Sequence, residues 1–148
     1  MKEIFGDLFE QKDADAICIT TNGNVKKNGE AVMGRGCAKE ADRRWNCSKT
    51  LGEAIEEGGN FPIIFHRIND YDVVSFPAKH NWWEKADIDL IKESAKCLVS
   101  FANIYEWEKV VLPRPGCGNG RLDWKDVKSI LESILDDRFY VITNKKGE

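Results

Sequence analysis

Two hydrophobic periods run through the chain. Short apolar runs bounded by turn residues mark strands over residues 2–5, 15–21, 61–68, 71–76, 109–112 and 138–143. Between them stand stretches whose apolar residues recur three and four apart, the period of a helix. These predict helices over 36–45, over 51–57 with a stop at Gly58-Gly59, from Asp87 onward, and after Asp123. Ile88, Ile91, Ala95, Leu98 and Ala102 line one face of the third; Val127, Ile130, Leu131, Ile134 and Leu135 line one face of the fourth. Asp123 suits an N-cap, because its carboxylate can accept from the free amides of the first turn. Asn69-Asp70 suits a hairpin turn. Helices alternating with strands, plus one hairpin, predict an α/β fold with a mixed sheet covered on both faces.

Two glycine-rich loops follow predicted strands. Pro113-Arg114-Pro115-Gly116-Cys117-Gly118-Asn119-Gly120-Arg121 leads into the fourth helix, and Val32-Met33-Gly34-Arg35-Gly36-Cys37-Ala38 opens the first. Glycine lets a backbone approach a ligand closely, and a helix N-terminus presents unpaired amides, so each loop is a candidate phosphate cradle. Either is equally readable as a surface turn that binds nothing. Two cradles facing each other at the carboxyl ends of strands suit a diphosphate with sugars on both sides. Neither loop ends in Gly-Lys-Ser/Thr and neither is a clean G-x-G-x-x-G, which disfavours a P-loop and a dinucleotide fold of the usual kind.

Four segments, in this order, resemble the macrodomain family: Gly6-Asp7-Leu8-Phe9, Thr20-Thr21-Asn22, residues 32–38, and Gly116-Cys117-Gly118-Asn119-Gly120. The resemblance runs over about residues 3–142. It implies a three-layer α/β/α macrodomain with a mixed central sheet, one domain over 1–148, that binds ADP-ribose. Phe76-Pro77-Ala78-Lys79-His80-Asn81-Trp82 resembles the lysine-bearing segment of one branch, which holds terminal ADP-ribose protein glycohydrolase and the DarG antitoxin macrodomain. By that likeness Asp7, with Leu8 beside it, would bind adenine, and Thr21 and Asn22 would face the distal ribose. Met33, Gly34, Arg35, Gly36 and Cys37, with Pro115, Gly116, Cys117, Gly118, Asn119, Gly120 and Arg121, would wrap the diphosphate. Lys79 would stand near the anomeric carbon as the catalytic residue.

Three positions depart from the branch. Gly120 stands where the human glycohydrolase has an aspartate, residues 23–31 form a longer loop than the antitoxin's, and Arg121 replaces a glycine. The leading expectation is an ADP-ribosyl hydrolase acting on a modified nucleic acid or protein. The alternatives are a reader that binds ADP-ribose without turnover, for which Gly120 speaks, and an ADP-ribose 1″-phosphate phosphatase.

Each residue also has a plainer interpretation. Asp7 could be a turn aspartate, Asn22 a left-handed turn residue, and Lys79 a solvated charge. His66 reads as structural, His80 as solvent-facing, and Trp82 and Trp83 as packing around the pocket.

Composition narrows the class without naming a chemistry. The chain has 148 residues, 42% hydrophobic and 32% charged, enough for a core. A net charge of −3 implies no general nucleic-acid affinity. Residues 26–49 nevertheless carry Lys26, Lys27, Arg35, Lys39, Arg43, Arg44 and Lys49 against Glu30, Glu40 and Asp42. That excess fits a polyanion near the first loop or a solvated helix face.

No apolar run approaches a membrane span and the N-terminus does not read as a signal peptide. The five cysteines show no metal-ligand spacing, so no metal or cofactor is expected. Their odd number points to reduced thiols in a cytoplasm. Cys18 and Cys97 are expected in the core, and Cys37 and Cys117 in the loops. The expected partners are ADP-ribose or an ADP-ribosylated macromolecule and no membrane, with the chain a monomer.

Overall fold

A computed structural model of the chain describes residues 1–144. Positions 145–148 lie outside the described residues. The elements, in order, are β1 (Lys2–Phe5), a 3₁₀ turn (Leu8–Glu10), β2 (Ala16–Thr21), α1 (Gly36–Trp45), α2 (Ser48–Gly58), β3 (Ile64–Ile68), β4 (Tyr71–Pro77), α3 (Ile88–Ile104), β5 (Val110–Pro113), α4 (Trp124–Glu132) and β6 (Phe139–Thr143).

The six strands form one sheet in the order β1-β6-β5-β2-β4-β3. All neighbours are parallel except β3 and β4, which make the hairpin turning at Asn69 and Asp70. Asn69 takes the left-handed conformation that turn needs, with φ of 51°.

Strand residues alternate between two cores. Ala16, Cys18, Val74, Phe76, Val110 and Leu112 face α3 and α4, where Ile91, Leu98, Val127 and Leu131 are fully buried. Ile17, Ile19, Val73 and Val111 face α1 and α2, against Ala38, Ala41, Leu51 and Ile55. The period-2 alternation of strands buried on both faces therefore builds the three-layer α/β/α arrangement.

Some boundaries differ from the sequence expectation. α2 starts at Ser48, three residues early, because the Asp42 carboxylate accepts from the Ser48 N–H at 3.0 Å and supplies the missing cap. β3 starts at Ile64 because its ladder breaks there: Ile63 N–H donates to Ser75 Oγ at 2.9 Å, and the register shifts between Ile64 and His66. α4 stops at Glu132, so Ile134 and Leu135 pack from the following turn. Ile88 and Cys97 are half-buried rather than core.

Candidate functional site

The sheet order sets the place of the site. From β2 the chain crosses to β4 on one side; from β4 it returns through α3 to β5 on the other. Between β2 and β5 the crossovers diverge, and loops leaving the carboxyl ends of those two strands leave a crevice there. Both glycine loops leave these two strands. A cavity of about 630 Å³ lies between them, lined by Thr21, Asn22, Met33, Gly34, Arg35, Gly36, Cys37, Lys79, Gly116, Gly118, Asn119 and Gly120 together with Thr20, Trp82, Arg114 and Asn144. A second, wider depression of about 1490 Å³ continues from it past Asp7, Leu8 and Phe9 toward Trp124. Gly36, Cys37, Arg114, Gly118 and Asn144 line both, so the two form one cleft.

The first loop opens an uncapped helix. Gly36 opens α1 at φ of 57°, and no side chain caps that helix, whereas Asp87 and Asp123 cap α3 and α4. The first turn of α1 thus has no cap from Arg35 where Gly36 and Cys37 line the cleft. Arg35, Lys79 and Arg114 line the smaller cavity, and among the described residues no carboxylate does. The larger one is lined by acidic as well as basic side chains, Asp7, Glu40 and Asp123 among them.

The second loop is tightest at Gly120. A Cβ on Gly120 would lie 2.5 Å from the Gly116 carbonyl oxygen and 2.7 Å from Ala86 Cβ. The Gly120 carbonyl also accepts from the Ala86 N–H at 3.0 Å, which ties this loop to the segment before α3.

Lys79 follows β4, and a set of long-range hydrogen bonds holds its segment. Ala78 N–H donates to Thr21 O at 3.0 Å, Asn60 Nδ2 donates to Lys79 O at 3.0 Å, and Gly23 N–H donates to His80 O at 3.0 Å. Asn24 Nδ2 donates to Asn81 Oδ1 at 2.8 Å, while Asn24 Oδ1 accepts from Trp82 N–H at 2.7 Å. Lys79 Nζ donates to Trp82 O at 3.2 Å. Burial, then the charges of Arg35 and Arg121, hold the Lys79 ammonium below the usual lysine range.

Most of the expected site residues meet in this cleft, with differences. Pro115 is buried and lines neither cavity; Arg121 is exposed and lines neither, reaching the site through its field on Lys79. Asn22 is not left-handed. Its Nδ2 donates to Val32 O at 3.1 Å and its Oδ1 accepts from Asn24 N–H at 2.9 Å, so it braces the first loop as well as lining the cavity.

Asp7 Oδ1 accepts from Phe9 N–H at 2.9 Å, a turn cap beside the wide part of the cleft. Cys37 Sγ contacts Thr20 Oγ1 at 3.3 Å, and burial raises its pKa; burial pushes the Cys117 thiol up to about 11. Neither is a ready nucleophile. Of the seven bases between 26 and 49, only Arg35 lines the cleft, and Arg43 and Arg44 pair with Glu40 on α1.

His66 is stacked on Trp45 with centroids 5.1 Å apart, a structural place. His80 is exposed, and its Nε2 lies 2.7 Å from Asp87 Oδ2. Arg114, Asn24, Asn60 and Asn144 carried no periodic signal, although Arg114 sits within the glycine-loop stretch.

No family model matches the chain. It is 28% identical over 119 residues to the DNA ADP-ribosyl glycohydrolase of Thermus aquaticus, covering 74% of this chain and 32% of that protein. The chain spans about a third of the length of the curated relatives it matches. The solved macrodomain of Mycobacterium tuberculosis DarG superposes with a TM-score of 0.74 at 25% identity, over 95% of each chain. Thermosipho africanus DarTG in complex with ADP-ribose gives a TM-score of 0.76 at 18% identity, over 95% of this chain and 41% of that one. This chain has a mixed six-stranded sheet between two helical layers, with its cleft at the β2–β5 crevice; by fold, it is a macrodomain.

Proposed function

We propose that the chain binds ADP-ribose across the cleft and hydrolyses its glycosidic link to a nucleic acid, taken as DNA from its likeness to the DNA ADP-ribosyl glycohydrolases. The observation that carries this reading is Lys79. A lysine with a depressed pKa lines the smaller cavity, between two glycine loops, with its main chain fastened on both sides. In this pose adenine lies by Asp7 and Leu8, the diphosphate lies over Gly36 and Gly118, and the distal ribose lies by Asn22 and Lys79. Contacts along the remote nucleotide orient the anomeric carbon toward the lysine.

The neutral Lys79 amine attacks that carbon. A carbon–nitrogen bond forms as the glycosidic bond breaks, and the proton lost by the amine goes to the leaving group on the nucleic acid. Water then cleaves the carbon–nitrogen bond, releasing ADP-ribose and restoring the amine. Arg35 and Arg121 favour the step by disfavouring the ammonium form.

The test is release of ADP-ribose from an ADP-ribosylated DNA oligonucleotide. Wild type should turn over, and Lys79→Ala should lose at least a hundredfold in kcat while still binding ADP-ribose. Full activity in Lys79→Ala removes the lysine from this role.

A reader without turnover is the second reading. It is favoured by the absence of a carboxylate among the described lining residues of the smaller cavity, and by a Gly120 that leaves no room for a Cβ. Tight ADP-ribose binding with no product from ADP-ribosylated DNA, RNA or protein would select it.

A further inference from the structure

Beyond the Lys79 end of the cleft the surface carries two exposed tryptophans. Trp82 lines the smaller cavity and is 43% exposed; Trp83, next in sequence, is 60% exposed and lines neither cavity. Their rings meet edge to face, with centroids 5.7 Å apart and planes at 87°. The Arg35 guanidinium lies 5.8 Å from the Trp82 ring centroid. Leaving such rings in water forgoes the burial that aromatic side chains normally provide, so their exposure calls for an occupant.

The surroundings identify its chemistry. Arg35 and Lys79 stand at the pair, and Arg121 acts on Lys79 from the second loop. The carboxylates of the same segment are engaged: Glu84 accepts from Asn81 Nδ2 at 2.7 Å, and Asp87 lies against His80. Aromatic faces beside cations match a stacked base next to its phosphate.

A protein partner would need a larger contiguous apolar patch than two rings provide. The large apolar residues exposed among the described ones are Phe5, Phe61, Trp82, Trp83, Ile104 and Tyr105. Ile104, the aliphatic one, ends α3, roughly 24 Å along the helix axis from its start near this segment.

The platform is also held in place. Asn24 Oδ1 accepts from Trp82 N–H, and the Lys79 ammonium donates to Trp82 O. Reactive lysine and rings therefore share one braced segment.

We propose that Trp82 and Trp83 form a stacking platform for an unpaired nucleobase of the modified strand, at the end of the cleft where the distal ribose leaves. This rests on the glycohydrolase reading for the modified substrate, but the platform binds unmodified strand as well. Trp83→Ala and Trp83→Tyr separate the two, since Trp83 lies outside the cavity.

The probes are a labelled single-stranded oligonucleotide, the same strand carrying one ADP-ribosyl base, an ADP-ribosylated protein, and ADP-ribose alone. In Trp83→Ala, Kd for the unmodified strand and KM for the modified one should each rise about tenfold. Affinity for ADP-ribose and KM on the protein should stay within twofold, and Trp83→Tyr should restore most of the loss.

Unchanged Kd and KM would overturn the platform. So would an equal loss on ADP-ribose or on the modified protein. If wild type releases no ADP-ribose yet binds the strand in a Trp83-dependent way, the platform stands and the glycohydrolase reading falls.

Discussion

Asn24 fastens Trp82 across 58 positions of sequence: its Oδ1 accepts the Trp82 N–H at 2.7 Å, and its Nδ2 donates to the neighbouring Asn81 side chain. One loop residue thereby supplies two of the long-range bonds that hold the segment carrying Lys79. Asn24→Ala should lower kcat roughly tenfold to a hundredfold, because a small displacement of the lysine spoils its line to the anomeric carbon. ADP-ribose affinity should change little, and stability in urea should fall by about 1–2 kcal/mol. Asn24→Asp keeps the acceptor for Trp82 and should recover part of the turnover. Equal losses in kcat and in ADP-ribose affinity would mean that Asn24 shapes the whole cleft.

The pH dependence follows from the sign of the Lys79 shift. Burial and two cations disfavour the ammonium, so its pKa lies below the ordinary lysine value of about 10.4. Turnover should rise with pH as the amine becomes neutral, with a midpoint below that value. Arg121→Ala removes one of the cations, so the midpoint should move upward and turnover at neutral pH should fall. A midpoint unmoved in Arg121→Ala would show that another group sets the profile.

Gly120→Ala tests the close approach in the second loop. A methyl 2.5 Å from the Gly116 carbonyl oxygen meets backbone, which cannot swing aside as a flexible side chain can. The expected cost is about 1–3 kcal/mol in urea unfolding. Gly118→Ala is the control: nothing lies within 4 Å of a Cβ there, and its effect should stay within about 0.5 kcal/mol. Equal midpoints for the two variants would show that the loop relaxes freely.

Asp7→Asn separates a cap from a ligand contact. Asparagine caps as well as aspartate, so the bond from Phe9 N–H survives and stability should hold. The second carboxylate oxygen becomes an NH₂, which would face the adenine amino group donor to donor. ADP-ribose affinity should fall about tenfold by calorimetry, with the thermal midpoint unchanged. Unaltered affinity would return Asp7 to a purely local role.

The scaffold was legible in the chain because it rests on repetition. Ile91, Ala95, Leu98 and Ala102 announce a helix face by spacing alone, and all four are fully buried. α1 spans Gly36–Trp45, the expected bounds. The glycine loops were legible for a related reason: clustered glycines after a strand are rare unless the backbone must come close to something.

Legibility ended where a role depends on a partner far away in sequence. Asn24 and Asn60 are lone polar residues in loops, and only folding brings them to Trp82 and Lys79. The likeness leaves Arg121 either a phosphate contact or a solvated charge; its left-handed backbone, with φ of 65°, accompanies an exposed side chain that lines neither cavity. The apolar pattern overstates the start of β3, because Phe61 is 65% exposed.

β2 pairs with β4 along the whole length of β2, from Ala16–Asp72 to Thr21–Pro77. β2 and β5 pair only at Ala16–Val110 and Ile17–Val111. The sheet is thus two panels sewn by a short seam, and the seam is open at the end where the cleft lies. A nucleotide lying over Gly36 and Gly118 would bridge the panels like a clasp. Closing it should slow amide hydrogen exchange along both lips, in Cys18–Ile19 and at Leu112, although none of these residues lines the cleft.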